Sequence, residues 1–340
     1  MPVSVVVGGQ YGGEGKGKVT NYFARQFNAK AVVRVGGPNS GHTVVHNDVR
    51  YKLRVLSSAC MLSDVITVLP VGSYINIELL EKELKLLDNF NIKERLIIDK
   101  NAMIIDNFDS FMEKEARLKE TIASTTSGIG NAIQRRIKRD VDEDIKFAKD
   151  DVRLRSYVMD TSQLYNKLLR SNEHIIVEGT QGFGLSVLHS DYYPYCTARD
   201  TTASAFLMEA GLSPLNVINI IMVIRRYPIR VGGYSGHLNK EITWEEVTRK
   251  SGSKEQLMEY TTVTNNLRRV AEFDADLVNK AISVNNPNII VLNHEDYIDY
   301  ENNENNKLTE KQLADINVIQ NDIGRKIDYV GNGESLIIKL

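Results

Sequence analysis

The sequence predicts an α/β fold: a central, mostly parallel β-sheet flanked by helices, with helical and loop insertions. Two observations carry this expectation. Apolar runs bounded by turn residues recur at Val3–Val7, Ala31–Val35, Val65–Leu69, Leu96–Ile98, Ile175–Val177, Val217–Val223 and Ile289–Leu292. Each is short and rich in β-branched residues, as a strand buried on both faces should be. Helical stretches lie between them, and alternation of strand with helix sets the strands parallel.

The elements follow in order. Val3–Val7 opens the chain as a nearly pure valine strand, and Lys18–Phe27 reads as the helix after it. Ile77–Leu87 places Leu79, Leu80, Leu84, Leu86 and Leu87 among acids and lysines, as an amphipathic helix does. The charged segment from Asp109 to Asp151 reads as a helical insertion, with a glycine-containing loop at Ser124–Gly130. Trp244–Ser251 and Asp274–Val284 are further helices, and Tyr300–Lys307 (YENNENNK) is a polar loop. With neither a long linker nor an internal repeat, residues 1–340 read as a single domain carrying its insertion around 109–151.

Composition narrows the function. Hydrophobic residues are 42% and charged residues 25%, a globular balance. The formal charge of −2 gives no basic field, so a nucleic-acid partner is not expected. Cys60 and Cys196 are the only cysteines, which points to a reducing, cytoplasmic compartment. The N-terminus shows no leader pattern. No apolar run approaches the roughly 18 residues of a membrane span.

The chemistry is concentrated in glycine clusters that follow strands. VSVVVGGQYGGEGKGKVT, Val3–Thr20, delivers a buried strand into a glycine run. Glycines allow φ > 0 and bring backbone N–H groups up to an anion. A helix starting near Gly15 adds its dipole, and Lys16 and Lys18 add charge. Gly12-x4-Gly17-Lys18 fits the first seven positions of the P-loop pattern, but Val19 stands where Ser or Thr would bind Mg²⁺. The run therefore reads as a phosphate cradle of a different type; a plain glycine turn with surface lysines is the simpler alternative.

A second cluster, GGPNSGHTV (Gly36–Val44), sets His42 in a loop beside Asn39 and Thr43, where it either polarises a phosphoryl oxygen or caps a turn. A third, Glu178–Thr202, gathers Gln181, Thr197, Thr201 and Thr202, whose amide and hydroxyl groups suit a base edge or a phosphate. Its His189 reads as an ordinary loop histidine. TTVTNNLRRV, Thr261–Val270, joins hydroxyls to Arg268-Arg269, suiting a carboxylate, a phosphate or plain solvent.

Together these motifs resemble the adenylosuccinate synthetase family. Its pattern G-x-Q-W-G-D-E-G-K-G-K is matched by Gly8–Lys18 and G-G-x-N-A-G-H-T by Gly36–Thr43. T-x-G-x-G-x-G falls on Thr125–Gly130, E-G-A-Q-G on Glu178–Gly182 with Tyr193–Thr197 after it, and T-T-G-R-x-R-R on Val263–Arg269. The resemblance implies a P-loop-like domain. It also implies a two-step reaction, in which a triphosphate phosphorylates a purine 6-oxygen and aspartate's amine displaces that phosphate.

By matched positions, Gly12, Gly13, Glu14, Gly15, Lys16, Gly17, Lys18, Gly41, His42, Thr43, Arg268, Gly331, Asn332 and Gly333 would hold the triphosphate. His42 would act as general acid on the transferring phosphoryl group, and Gln181 would contact the purine near its 6-position. Gly13, Asn39, Ser40, Thr125, Gln181, Thr197 and Asn266 would hold the nucleotide substrate. Arg139 would reach its phosphate from the neighbouring subunit of a homodimer. Val263, Thr264, Asn265 and Arg268 would bind L-aspartate, with Gly13 and Gly41 at the Mg²⁺.

Three departures bear on the substrate. The family's aspartate, its general base and metal ligand, is Gly13 here. Its absence opens space for a purine 2-amino group, which the Gly13 backbone could accept. Asn265-Asn266 replace Gly-Arg near the ribose, which suits a deoxyribose. Leu292-Asn293-His294-Glu295-Asp296 replaces the family's guanine-reading K-L-D, pointing to ATP or dATP as donor. These departures are similar to the bacteriophage branch of the family, which makes 2-amino-2′-deoxyadenylosuccinate for diaminopurine DNA. The expected reaction joins L-aspartate to dGMP with ATP. An ordinary enzyme acting on inosine monophosphate and an inactive nucleotide-binding regulator are the alternatives. Glu14, water or the phosphate itself could take the purine N1 proton.

Overall fold

The computed structural model describes residues 2–262 and 265–340. Its main sheet has ten strands. They are β1 (Val3–Gly8), β2 (Ala31–Arg34), β3 (Ile66–Leu69), β4 (Leu96–Asp99) and β5 (Val158–Met159), followed by β6 (Ile175–Glu178), β7 (Val217–Arg225), β8 (Ile289–Asn293), β9 (Tyr329–Asn332) and β10 (Leu336–Lys339). Their spatial order is β10-β9-β8-β7-β1-β6-β2-β3-β4-β5. Every pairing is parallel except β9 with β10. The expected architecture is therefore present.

Strand β1 lies between β6 and β7, and all six of its residues are buried. Its valines alternate between two cores. Val3, Val5 and Val7 pack with helices Thr161–Arg170, Ala203–Ala210, Ala275–Asn285 and Glu310–Ile323. Val6 faces helix Lys16–Gln26 through Val19 and Phe23. Covering both faces with helices is what allows continuous valine runs in parallel strands. The loops after β1, β2, β6, β7 and β8 all leave carboxyl ends of parallel strands, the edge where open α/β sheets bind ligands.

Local details differ from the sequence expectations. The first helix begins at Lys16, so both lysines lie in its first turn, behind Gly15 at φ 89°. The segment with His42 is a strand rather than a loop: His42–His46 pairs antiparallel with Val49–Leu53. Asn47 and Asp48, with φ of 49° and 60°, make the turn between them. Consecutive positive φ values are what a tight hairpin needs, so Asn-Asp between two apolar-containing runs was the available signal. Strands β5, β9 and β10 were also unexpected. The insertion is helical, at Asn107–Glu115, Leu118–Ile122 and Ile129–Lys138. Among the described residues no helix is long and apolar enough to cross a membrane.

Candidate active site

The loops at the carboxyl edge surround a cleft of about 760 Å³. It is lined by Gly12, Gly13, Gly15, Lys16, Gly17 and Lys18 from the first loop and helix, by Asn39, Ser40, Gly41, His42 and Thr43 from the second, and by Thr125, Gln181, Thr197, Asn265, Arg268 and Gly333. Motifs far apart in sequence thus share one wall system.

His42 is buried against Glu178, the last residue of β6. Its Nδ1 donates to Glu178 Oε1 at 2.5 Å. The Arg34 guanidinium stands 2.7 Å from the same nitrogen and 3.5 Å from that carboxylate. Ser58 closes the group, donating its N–H at 2.8 Å to Oε2 and its hydroxyl at 2.5 Å to Oε1. Burial, then the Arg34 charge, lower the His42 pKa to about 4, against the pull of Glu178. Burial works against ionisation of Glu178, but Arg34, His42 and Ser58 outweigh it and keep its pKa below the usual range. The resting pair is a carboxylate holding a neutral imidazole in one orientation.

The first loop is braced from beneath. Glu14 is fully buried and does not line the cleft. Its carboxylate accepts from the N–H groups of Gln10 at 3.2 Å and Gly12 at 2.8 Å, and from Lys16 Nζ at 2.6 Å. Lys16 also donates to the Gln181 carbonyl. Glu14 is thus a strut of the loop, turned away from the position of a proton acceptor. Lys18 donates to the Gly333 carbonyl at 2.9 Å, and burial lowers its pKa to about 8. Gln181, at φ 58°, has its Oε1 buried without a hydrogen-bond partner among the described residues, so a donor from a ligand would satisfy it.

Gly13 is the most informative position. With φ at 71°, a Cβ there would stand 2.6 Å from Ile229 Cδ1 and 3.6 Å from Arg225 Nη1. The bond to a side chain would point inward, to the fully buried Arg225 and its neighbour on the floor. The Gly13 carbonyl already accepts from Arg225 Nη1 at 2.8 Å. A cation at that oxygen would face a guanidinium, which disfavours Gly13 as one of the two expected metal positions. Among the described residues no group of three or more His, Cys, Asp or Glu side chains could hold a metal.

Other expected positions lie elsewhere. Gly331 packs against Asn293 and Lys18. Asn332 is buried on the backbone of Asn302 and Asn305. Asn266 is exposed and donates its N–H to Thr261 Oγ1 at 2.9 Å. Arg139 is exposed at the end of helix Ile129–Lys138, outside the cleft. Val263 and Thr264 lie outside the described residues. His189 stacks on Phe183, as an ordinary loop histidine does. Arg34, Ser58, Glu178, Arg225 and Glu259 were not singled out from sequence, because each acquires its role from a partner far along the chain.

Fold and cleft define a nucleotide-handling α/β enzyme. A sequence model described as adenylosuccinate synthetase matches residues 5–148 and 140–305. The adenylosuccinate synthetase of Methanococcus aeolicus is 35% identical over 99% of this chain and 98% of its own. The chain belongs to the adenylosuccinate synthetase family of carbon–nitrogen ligases. The fully ligated adenylosuccinate synthetase of Plasmodium falciparum superposes with a TM-score of 0.85 at 20% identity, covering 99% of both chains, and shares the fold. The succinoaminodeoxyadenylate synthetase of cyanophage S-2L, bound to dGMP and dATP, superposes with a TM-score of 0.82 at 27% identity, covering 99% of this chain and 95% of its own.

Proposed function

We propose that this ligase joins L-aspartate to C6 of dGMP, with ATP or dATP as phosphoryl donor. The carrying observation is Gly13, where a Cβ would meet Ile229 at 2.6 Å. Positive φ and the end of the Ile229 side chain disfavour the family's carboxylate at this position, and without it the purine edge is left free for a 2-amino group. The likeness to the dGMP-bound cyanophage enzyme supports the reading. The 35% identity to an archaeal adenylosuccinate synthetase favours a second reading, in which the substrate is inosine monophosphate.

In the first step the purine O6 attacks the γ-phosphorus of the donor, the bond to the β-phosphate oxygen breaks, and the N1 proton leaves. In the second, the aspartate amine attacks C6 and phosphate departs with O6. Mg²⁺, held by the Gly41 carbonyl and phosphate oxygens, would offset charge on the triphosphate. His42, oriented by Glu178, takes up a proton as the anionic phosphates arrive and donates it to the transferring phosphoryl group. The unpartnered Gln181 Oε1 meets the purine near C6, and Arg268 receives a carboxylate of aspartate. With Glu14 committed beneath the loop, the N1 proton leaves to water or to the phosphate. Arg139 reaches the dGMP phosphate of a second copy in a homodimer.

Competition between dGMP and inosine monophosphate tests the substrate, using phosphate release with saturating ATP and aspartate. dGMP should win in kcat/KM by tenfold or more, about 1.4 kcal/mol. Preference for inosine monophosphate would establish the second reading, and no phosphate release with either would mean an inactive protein. Mixing Arg139→Leu with Lys16→Ala chains should restore activity if Arg139 acts across a dimer.

A further inference from the structure

Arg225 ends β7 and is completely buried, yet its guanidinium serves two separate pieces of the cleft. Its Nη1 donates to the Gly13 carbonyl at 2.8 Å and to Glu259 Oε2 at 3.2 Å, while Nη2 donates to Glu259 Oε1. Tyr297 donates its hydroxyl to the same Oε1 at 2.9 Å. Gln10 fixes the arginine's backbone, its amide accepting from Arg225 N–H at 2.9 Å and donating to the Arg225 carbonyl at 3.1 Å. Glu259 stands at the root of the segment carrying Asn265 and Arg268. There Arg268 N–H donates to the Glu259 carbonyl at 2.8 Å, and Thr261 N–H to the Asn266 carbonyl at 2.9 Å. The same segment rests on the second glycine loop: a Cβ on Gly41 would stand 2.6 Å from Thr262 Cγ2.

We propose that Arg225 is a positioning residue that couples the triphosphate loop to the amino-acid loop, so that a nucleotide on Gly12–Lys18 prepares Arg268 for a dicarboxylate. The inference rests on the proposed function. Its physical basis is one cation with two anchors. Glu259 balances the charge of a guanidinium that would be costly to bury alone, and a second N–H of Nη1 fixes the direction of the Gly13 peptide. A shift of Gly13 on phosphate binding must move Arg225, and through it Glu259 and the backbone of Arg268. Lysine keeps the charge but presents no planar fork able to hold both partners at once.

The test measures binding as well as turnover. L-Aspartate is titrated calorimetrically into the full chain, with and without dGMP, Mg²⁺ and a non-hydrolysable imido analogue of ATP. Wild type, Arg225→Lys and Glu259→Gln are compared. In wild type the nucleotides should tighten aspartate by about tenfold or more, within the usual range of coupling between sites. Aspartate should tighten the analogue by the same factor, because such coupling is reciprocal. In either variant the factor should fall below about twofold, with the analogue still binding. A merely structural Arg225 would lower the melting temperature and leave the factor intact, which overturns the proposal. So does an analogue that binds wild type without altering aspartate affinity. Failure of the analogue to bind wild type would instead overturn the functional reading. Glu259→Gln decides the matter should Arg225→Lys fail to fold.

Discussion

Glu178 Oε1 lies 2.5 Å from Nδ1 of His42, although the two residues are 136 positions apart. The carboxylate fixes which nitrogen carries the hydrogen and which way the ring faces. It also offsets part of the burial and Arg34 repulsion that hold the ring neutral. Replacing Glu178 by Gln removes the charge and keeps most of the shape. Turnover should fall about a hundredfold, the lower end of the usual acid–base contribution. The alkaline limb of the kcat profile, where the general acid loses its proton, should move to lower pH, because the imidazolium loses its stabilising partner. Steady-state kinetics across pH would show this, and an unshifted limb would assign Glu178 to packing alone.

The lowered His42 pKa has a consequence for stability. The folded value, about 4, lies below the ordinary 6.5. Folding therefore favours the neutral ring. The stabilisation is complete above pH 6.5 and is lost as pH falls toward 4. His174, bonded to Ser4 and also lowered to about 4 by burial, adds a parallel loss. The His42→Asn chain should lose less stability than wild type between pH 6.5 and 4, by urea denaturation. Parallel curves would contradict the assignment.

On the proposed dGMP reading, Gly13→Asp alone should not convert the enzyme to inosine monophosphate. The new side chain must accept positive φ and displace Ile229 Cδ1, and overpacking of this kind costs about 1–3 kcal/mol. Activity should fall with both purines. The double variant Gly13→Asp with Ile229→Ala should regain turnover with inosine monophosphate more than with dGMP. An equal ratio of kcat/KM for the two purines in the double variant and wild type would remove Gly13 as the selector.

Glu295 is buried, and neither of its carboxylate oxygens has a hydrogen-bond partner among the described residues. Burial first, and Asp315 and Asp296 nearby, raise its pKa well above the usual range. Stability from the protonated form is complete below the unfolded value and is lost as pH rises through the folded one. Glu295→Met should therefore raise stability by roughly 1–3 kcal/mol. The gain should be larger at pH 8 than at pH 5. Denaturant midpoints at the two values would show it, and a destabilised variant would mean that the carboxylate has a partner.

The local grammar of this protein is legible in its residue pattern. β-Branched runs gave buried strands, and Gly12–Gly17 after β1 gave a glycine loop opening a lysine-bearing helix. His42 and Gln181 stood out because glycines surround them. These signals are local, since backbone freedom and strand composition act over a few residues. Only the tertiary structure placed β1 between β6 and β7, because pairing partners there are more than 170 residues apart. Only it turned Glu14 under the loop, set Glu178 on His42 and bound Arg225 to both Gly13 and Glu259. Glu14 looked available in sequence because exposure is not a local property. The direction of a missing Cβ at Gly13, inward onto Ile229, was likewise decided by φ at one residue and packing from a distant strand.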